Sequence, residues 1–185
     1  MHGIVFFELH RFADSALPEG SWDRITEAAG LKGSFYTPLE SYPDEQLFRL
    51  VAAASRLSGL AHEPLLQTFG VFLAPELMKM YRHLMKPSWR ALDVIEHTEA
   101  VIHAVVRVKN PGATPPILRA ARTAPDELVL HYSSKRRMCS IAKGIAEGIG
   151  RHFSEPLSIA DEACMLRGDP ECILRLRVAS APAPR

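Results

Sequence analysis

"AVIHAVVRVKNPGATPP", Ala100–Pro116, is where the chain changes character. Up to Val108 its apolar residues keep helical spacing, and His103 sits there in the most apolar surroundings of the chain's eight histidines. Asn110, Pro111 and Gly112 then break any helix. An imidazole among hydrocarbons needs a hydrogen-bond partner or a metal. A satisfied core histidine and an axial metal ligand both meet that need. His97 lies six residues earlier, so on an ideal helix it points away from His103, and the two do not make a shared HxxxH-type zinc site.

Upstream of the break everything reads as helix. A short helix is expected over Gly3–Phe12, and one over Ser21–Leu31 that starts at a capping serine. The clearest is "PDEQLFRLVAAASRLSG", with Pro43 in the first turn, Asp44 and Glu45 at the positive dipole end and Gly59 at the stop. "EPLLQTFGVFLAPELMKMYRHLM" reads as two helices meeting near Pro75. "SWRALDVIEHTEAVIHAVVRV" reads as one long helix capped by Ser88.

Downstream, strands are expected at Pro116–Thr123 and Leu128–Ser134. A helix over Arg137–Phe153 carries Ile141, Ile145 and Ile149 on one face, and two further strands flank a "GDPE" turn. The fold class is therefore α+β. We expect one domain over residues 1–178, with a helical lobe at 1–64, a sheet-bearing lobe at 65–178 and a flexible tail at 179–185. A ligand would sit at the junction of the lobes.

The chain has 185 residues, 47% apolar and 23% charged, with a net charge of +1. No basic stripe points to nucleic acid, and no apolar run approaches the ~20 residues that span a bilayer. A cytoplasmic protein with no nucleic-acid or membrane partner is the expectation. There is no Ser-His-Asp pattern, Walker loop, GxGxxG or defensible acid–base pair, so no enzyme activity is expected.

Two groups of residues carry candidate chemistry. In "LVLHYSSKRRMCS", Leu128–Ser140, the alternation Tyr132-x-Ser134-x-Arg136 puts two hydroxyls and a guanidinium on one side of an extended chain. A solvated strand edge explains this, and so does an anion site. Haem uses one histidine on its iron and carries two propionates, which arginine grips with two prongs. The other group is Cys139, Cys164 and Cys172. In a reducing compartment they read as small buried hydrophobes or as three thiolates of a tetrahedral zinc site, with Asp161, three residues before Cys164, as a candidate fourth ligand.

Taken together, "MHGIVFFEL", "VIHAVVRVKNPGATPP", "YSSKR" and "CMLRGDPEC" resemble the H-NOX family, the haem nitric oxide/oxygen-binding domains related to the haem domain of soluble guanylate cyclase. The resemblance covers about residues 1–178. It implies a helical N-terminal lobe packed on a C-terminal lobe with a small antiparallel sheet and a crossing helix, with haem b between them. His103 would be the axial ligand of haem iron, Tyr132, Ser134 and Arg136 would hold the propionates, and Pro116 would press on the porphyrin.

Oxygen-binding members place a tyrosine where this chain has Ile141, nine residues after Tyr132. With Ile4, Leu73, Ile141 and Ile145 as the distal wall, the resemblance implies a sensor that binds NO, and CO, but excludes O2. Its output would go to a separate histidine kinase or cyclic-di-GMP enzyme. Members with this cysteine set have histidine at the place of Asp161, so zinc is a weaker expectation than haem. The alternative function is a zinc/cysteine redox-sensing module of the same fold.

Overall fold

The break at Asn110–Gly112 is real. In the computed structural model, which describes residues 1–179, Gly112 has φ +89°, a conformation that L side chains rarely adopt, and Ala113 N–H closes a turn onto the Asn110 carbonyl at 2.9 Å. Before it lie α1 (Gly3–Ala16), α2 (Ser21–Ala28), α3 (Asp44–Ser58), α4 (His62–Tyr81) and α5 (Ala91–His97). A π-helical segment, Thr98–His103, then leads into α6 (Ala104–Lys109). After the break come β1 (Ile117–Ala124), β2 (Glu127–Ser133), α7 (Cys139–His152), β3 (Leu157–Ala163) and β4 (Cys172–Val178). Residues 180–185 of the expected flexible tail lie outside the described residues. Ala179 is tied back by its N–H to the Pro156 carbonyl at 2.8 Å.

Three helix expectations need correction. Pro75 does not divide a helix: α4 runs straight through it. Proline leaves the carbonyl four residues back without its usual donor, and that carbonyl, on Val71, faces Gly148 of α7. Ser88 does not cap the long helix. Arg90 does, with its backbone N–H donated to Asp93 Oδ2 at 2.9 Å, and the helix is interrupted by the π-helical segment. Nor is Ser21 the N-cap of α2, because Gly20 takes that position with φ +72°. The cap at Gly59 is as expected, in the left-handed conformation, with its N–H on the Ser55 carbonyl at 3.0 Å.

The four strands form one antiparallel sheet in the order β1-β2-β4-β3. Alternation sends Leu128, Leu130 and Tyr132 of β2 and Cys172, Leu174 and Leu176 of β4 to the buried face. Arg175 and Arg177 go to the other face, where both reach Glu127. Two apolar clusters result. One gathers α1, α2, α3 and the first half of α4, and the other gathers the sheet, α5 and most of α7. They meet along α4: Leu65, Phe69 and Leu73 belong to the first, Ala74 and Met78 to the second.

α4 and α7 cross with their backbones almost touching. A Cβ added at Gly144 would lie 2.0 Å from the Gln67 carbonyl oxygen, and one at Gly70 would lie 2.4 Å from that of Ile141. Only glycine permits this approach. It sets Leu73 beside Ile141 and Ile145.

Candidate functional site

Between the clusters is a cavity of about 390 Å³. Its lining is mostly hydrocarbon, and Ile4, Leu73, Ile141 and Ile145, expected as one wall, all contribute to it. So do His103, Pro116, Tyr132, Ser134 and Arg136. Residues from the N-terminus, from the Gly112 turn and from α7 thus surround one space.

His103 is the last residue of the π-helical segment, and its side chain is 14% exposed. Its Nδ1 lies 2.9 Å from Glu99 Oε2. An ionised carboxylate only accepts, so the proton sits on Nδ1 and the Nε2 lone pair is left free. Burial lowers the His103 pKa and outweighs the opposing pull of Glu99. The ring is therefore a neutral imidazole with one nitrogen available, the form that binds a metal. His97 is elsewhere: it stacks on Trp89 at 4.6 Å, with Nδ1 against the Asp93 carbonyl at 2.8 Å.

The hydroxyl and guanidinium groups converge, though not by simple strand alternation. β2 ends at Ser133. A turn closed by Arg137 N–H on the Ser134 carbonyl at 3.1 Å, with Arg137 at φ +51°, carries Arg136 round to the cavity. Arg136 donates from Nε to Asp44 Oδ2 at 2.6 Å and to the Thr114 carbonyl and Oγ1 at 2.5 and 2.8 Å. That occupies three of its five N–H groups and leaves two for an anion. Burial pushes the Tyr132 phenol up to about 12, so it stays a protonated donor. Asp44 and Thr114 had no signal of their own in the sequence. Asp44 reads there only as a helix-dipole residue.

The family model described as Haem-NO-binding matches residues 2–161. The chain belongs to the haem-NO-binding family. Its fold is that of solved H-NOX proteins. A Shewanella oneidensis H-NOX protein in the Fe(II)NO state superposes with a TM-score of 0.89 at 23% identity, covering 97% of this chain and 100% of that one. A T. tengcongensis H-NOX mutant superposes at 0.83 with 22% identity, covering 97% and 98%. One from K. algicida, an Fe(II) unliganded mutant, superposes at 0.83 with 20% identity, covering 97% of each chain. No curated protein matches the chain in sequence.

The donor set fits the prosthetic group of the haem-NO-binding family. Haem needs a neutral imidazole, an apolar slot and donors for its carboxylates. The pocket offers His103 with Nε2 free, hydrocarbon walls, and the unused N–H groups of Arg136 beside the Tyr132 and Ser134 hydroxyls.

The thiols form a second centre. Cys139, Cys164 and Cys172 are buried and free, with Sγ separations of 3.8 Å (139 to 164) and 4.0 Å (164 to 172). Zinc with ~2.3 Å bonds to sulfur spaces tetrahedral thiolates about 3.8 Å apart, so three corners fit. Asp161 does not supply the fourth. Period-two alternation from Leu157 and Ile159 turns it toward α7, where Lys143 Nζ takes its Oδ2 at 2.6 Å. Among the described residues only the three cysteines cluster as metal ligands. Burial raises Cys139 and Cys172. At Cys164 burial also opposes ionisation, but the Leu166 N–H and the neighbouring thiols outweigh it and hold that thiol below its ordinary value.

Proposed function

We propose that the chain is a cytoplasmic haem-based gas sensor that binds NO, and CO, at ferrous haem, excludes O2, and signals to a separate protein by releasing His103. One observation carries this: a histidine held through Nδ1 by a carboxylate faces a mainly apolar cavity, and the four residues expected on its distal side, Ile4, Leu73, Ile141 and Ile145, are hydrocarbon. When bound, haem b supplies a ferrous iron that takes a diatomic gas.

The residues do the rest. His103 offers Nε2, while Tyr132, Ser134 and Arg136 hold the propionates. Pro116 stands as a rigid wall element at the start of β1. Ile141 has no proton to donate. Bound O2 is partly negative and relies on a donor, so its absence costs about 1–3 kcal/mol, or one to two decades of affinity. NO has no such requirement. Polar groups also line the cavity: His2 and Ser41, paired in an isolated bridge two residues before Ile4, and Tyr81, eight residues beyond Leu73 and about 12 Å further along α4. Thr98 Oγ1 is occupied by the Val94 carbonyl at 2.7 Å.

Release of His103 frees the segment Thr98–His103. A π-helical turn is rare and is frequently found at functional sites. α6 and the Gly112 turn follow directly, so their movement shifts the lobe surfaces that an effector reads. A histidine kinase or a cyclic-di-GMP enzyme is the effector class that the family resemblance implies.

Absorption spectra of the reduced protein under nitrogen, air and NO test this. A Soret band that is unchanged in air and shifts with NO is expected. A colourless protein, or an oxy-type spectrum in air, overturns it. The thiol cluster favours a second reading, a zinc/cysteine redox module. Metal analysis and a Cys139→Ser/Cys164→Ser/Cys172→Ser variant separate the two, because a haem sensor keeps its NO response without the thiols.

A further inference from the structure

Glu99 joins three parts of the proximal side. Its Oε2 accepts from His103 Nδ1 at 2.9 Å and from the Leu118 backbone N–H of β1 at 3.2 Å. Its Oε1 accepts from Arg107 Nη2 of α6 at 2.6 Å. The His103 ring is thus held by a carboxylate that is itself anchored from two directions. Glu99 and His103, an i, i+4 pair, lie within the π-helical segment, and β1 closes over them through the Leu118 N–H.

Resting on the haem assignment above, we infer that Glu99 is a positioning residue that sets the strength of the bond between His103 and the iron. A carboxylate accepting from a ligand imidazole fixes the ring's orientation and tautomer and makes the distant nitrogen a better donor. A stronger bond is harder to release, so Glu99 tunes the trigger itself. Arg107 works against it. Its cation on Oε1 draws charge from the carboxylate and weakens the acceptor that His103 sees. The pair forms a graded control: Glu99 tightens the histidine and Arg107 loosens it.

The opposite signs make a discriminating test. The iron–histidine stretching band of the ferrous, gas-free holoprotein is read by resonance Raman, beside the rate at which NO drives the histidine off. Glu99→Ala should move the band to lower frequency and speed the NO-driven loss about tenfold. Glu99→Gln, which keeps a neutral acceptor and the shape, should fall between the variant and the parent. Arg107→Met should move the band the other way and slow the loss. A merely structural role would shift Glu99 and Arg107 variants in the same direction, and that result, or an unmoved band in Glu99→Ala, overturns the inference. The Soret band keeps the two levels apart. If the parent protein has none, the haem assignment fails; if it is present and the bands do not split by sign, only the role of Glu99 fails.

Discussion

At position 141 a branched hydrocarbon stands in the cavity wall where, on the proposed function, a donor would change which gas is held. Ile141→Tyr adds a phenol beside Leu73 and Ile4. The variant should form an oxy complex in air, with O2 affinity raised by one to two decades, the worth of about 1–3 kcal/mol. An air spectrum identical to the parent's would refute the role of Ile141. Asp161 is the next telling residue. Paired with Lys143 at 2.6 Å, it leaves the thiols one ligand short among the described residues. Protein loaded with zinc should surrender it to a competing chelator, while Asp161→His should retain it at about one equivalent. Equal retention in both would show that the fourth corner is filled in another way. Glu127 sets a pH response. Hydrogen bonds from Thr123, Arg177 and Arg175 hold its carboxyl at about 2, below the usual 4.5. A depressed pKa adds stability above the unfolded value and loses it as pH falls through the folded one. Glu127→Gln should therefore be less stable than the parent at pH 7, with the gap closing between about pH 4.5 and 2 in acid melts.

At the scale of elements, the α4–α7 crossing decides the shape of the pocket. Gly70, Gly144 and Gly148 let two helix backbones meet, and no side chain fits between them. Gly144→Ala would gain helix propensity but force the Gln67 carbonyl away. We expect a net loss of about 1–3 kcal/mol, a Tm lower by several degrees in a domain of this size, and a weaker hold on haem because Leu73 and Ile141 separate. Thermal melts beside haem-transfer rates check it. An unchanged Tm would mean that the helices can spread freely. The π-helical segment is the other element with a job. It carries both Glu99 and His103, and β1 donates its Leu118 N–H to the same carboxylate.

For the whole molecule, one ion pair crosses from the helical part to the sheet-bearing part at the cavity edge. Asp44, on the first turn of α3, takes Arg136 Nε at 2.6 Å. Arg136 is 13% exposed and Asp44 36%, so the pair is partly screened and worth about 1 kcal/mol. Asp44→Asn should speed haem transfer to an acceptor protein about fivefold, since Arg136 would lose a brace that aims it. Transfer at the parent rate would detach this pair from haem retention. A switch that moves from 1:99 to 99:1 needs about 5.5 kcal/mol of differential binding, so this contact biases the balance between lobe positions without deciding it.

Local chemistry was legible in the chain by itself. Asn110-Pro111-Gly112 had to end a helix, Gly59 had to cap one, and the alternation of leucine with arginine in β4 had to make a one-sided strand. These follow from backbone freedom and period, which neighbours in sequence carry. His103, Tyr132, Ser134, Arg136 and the four residues expected on the distal side were singled out because their types and order resemble one family closely, and all of them line one cavity. The tertiary structure decided what depends on partners distant in the chain. It kept α4 whole through Pro75, where α4 packs closely on Gly148 of α7. It paired Asp161 with the Lys143 ammonium of α7, eighteen residues earlier in the chain. It anchored Glu99, a neighbour of His103 at i, i+4 on any helix, by bringing the Leu118 N–H of β1 onto the same carboxylate. A charge's effect depends on what stands within a few ångströms of it, and that distance exists only after the chain has folded.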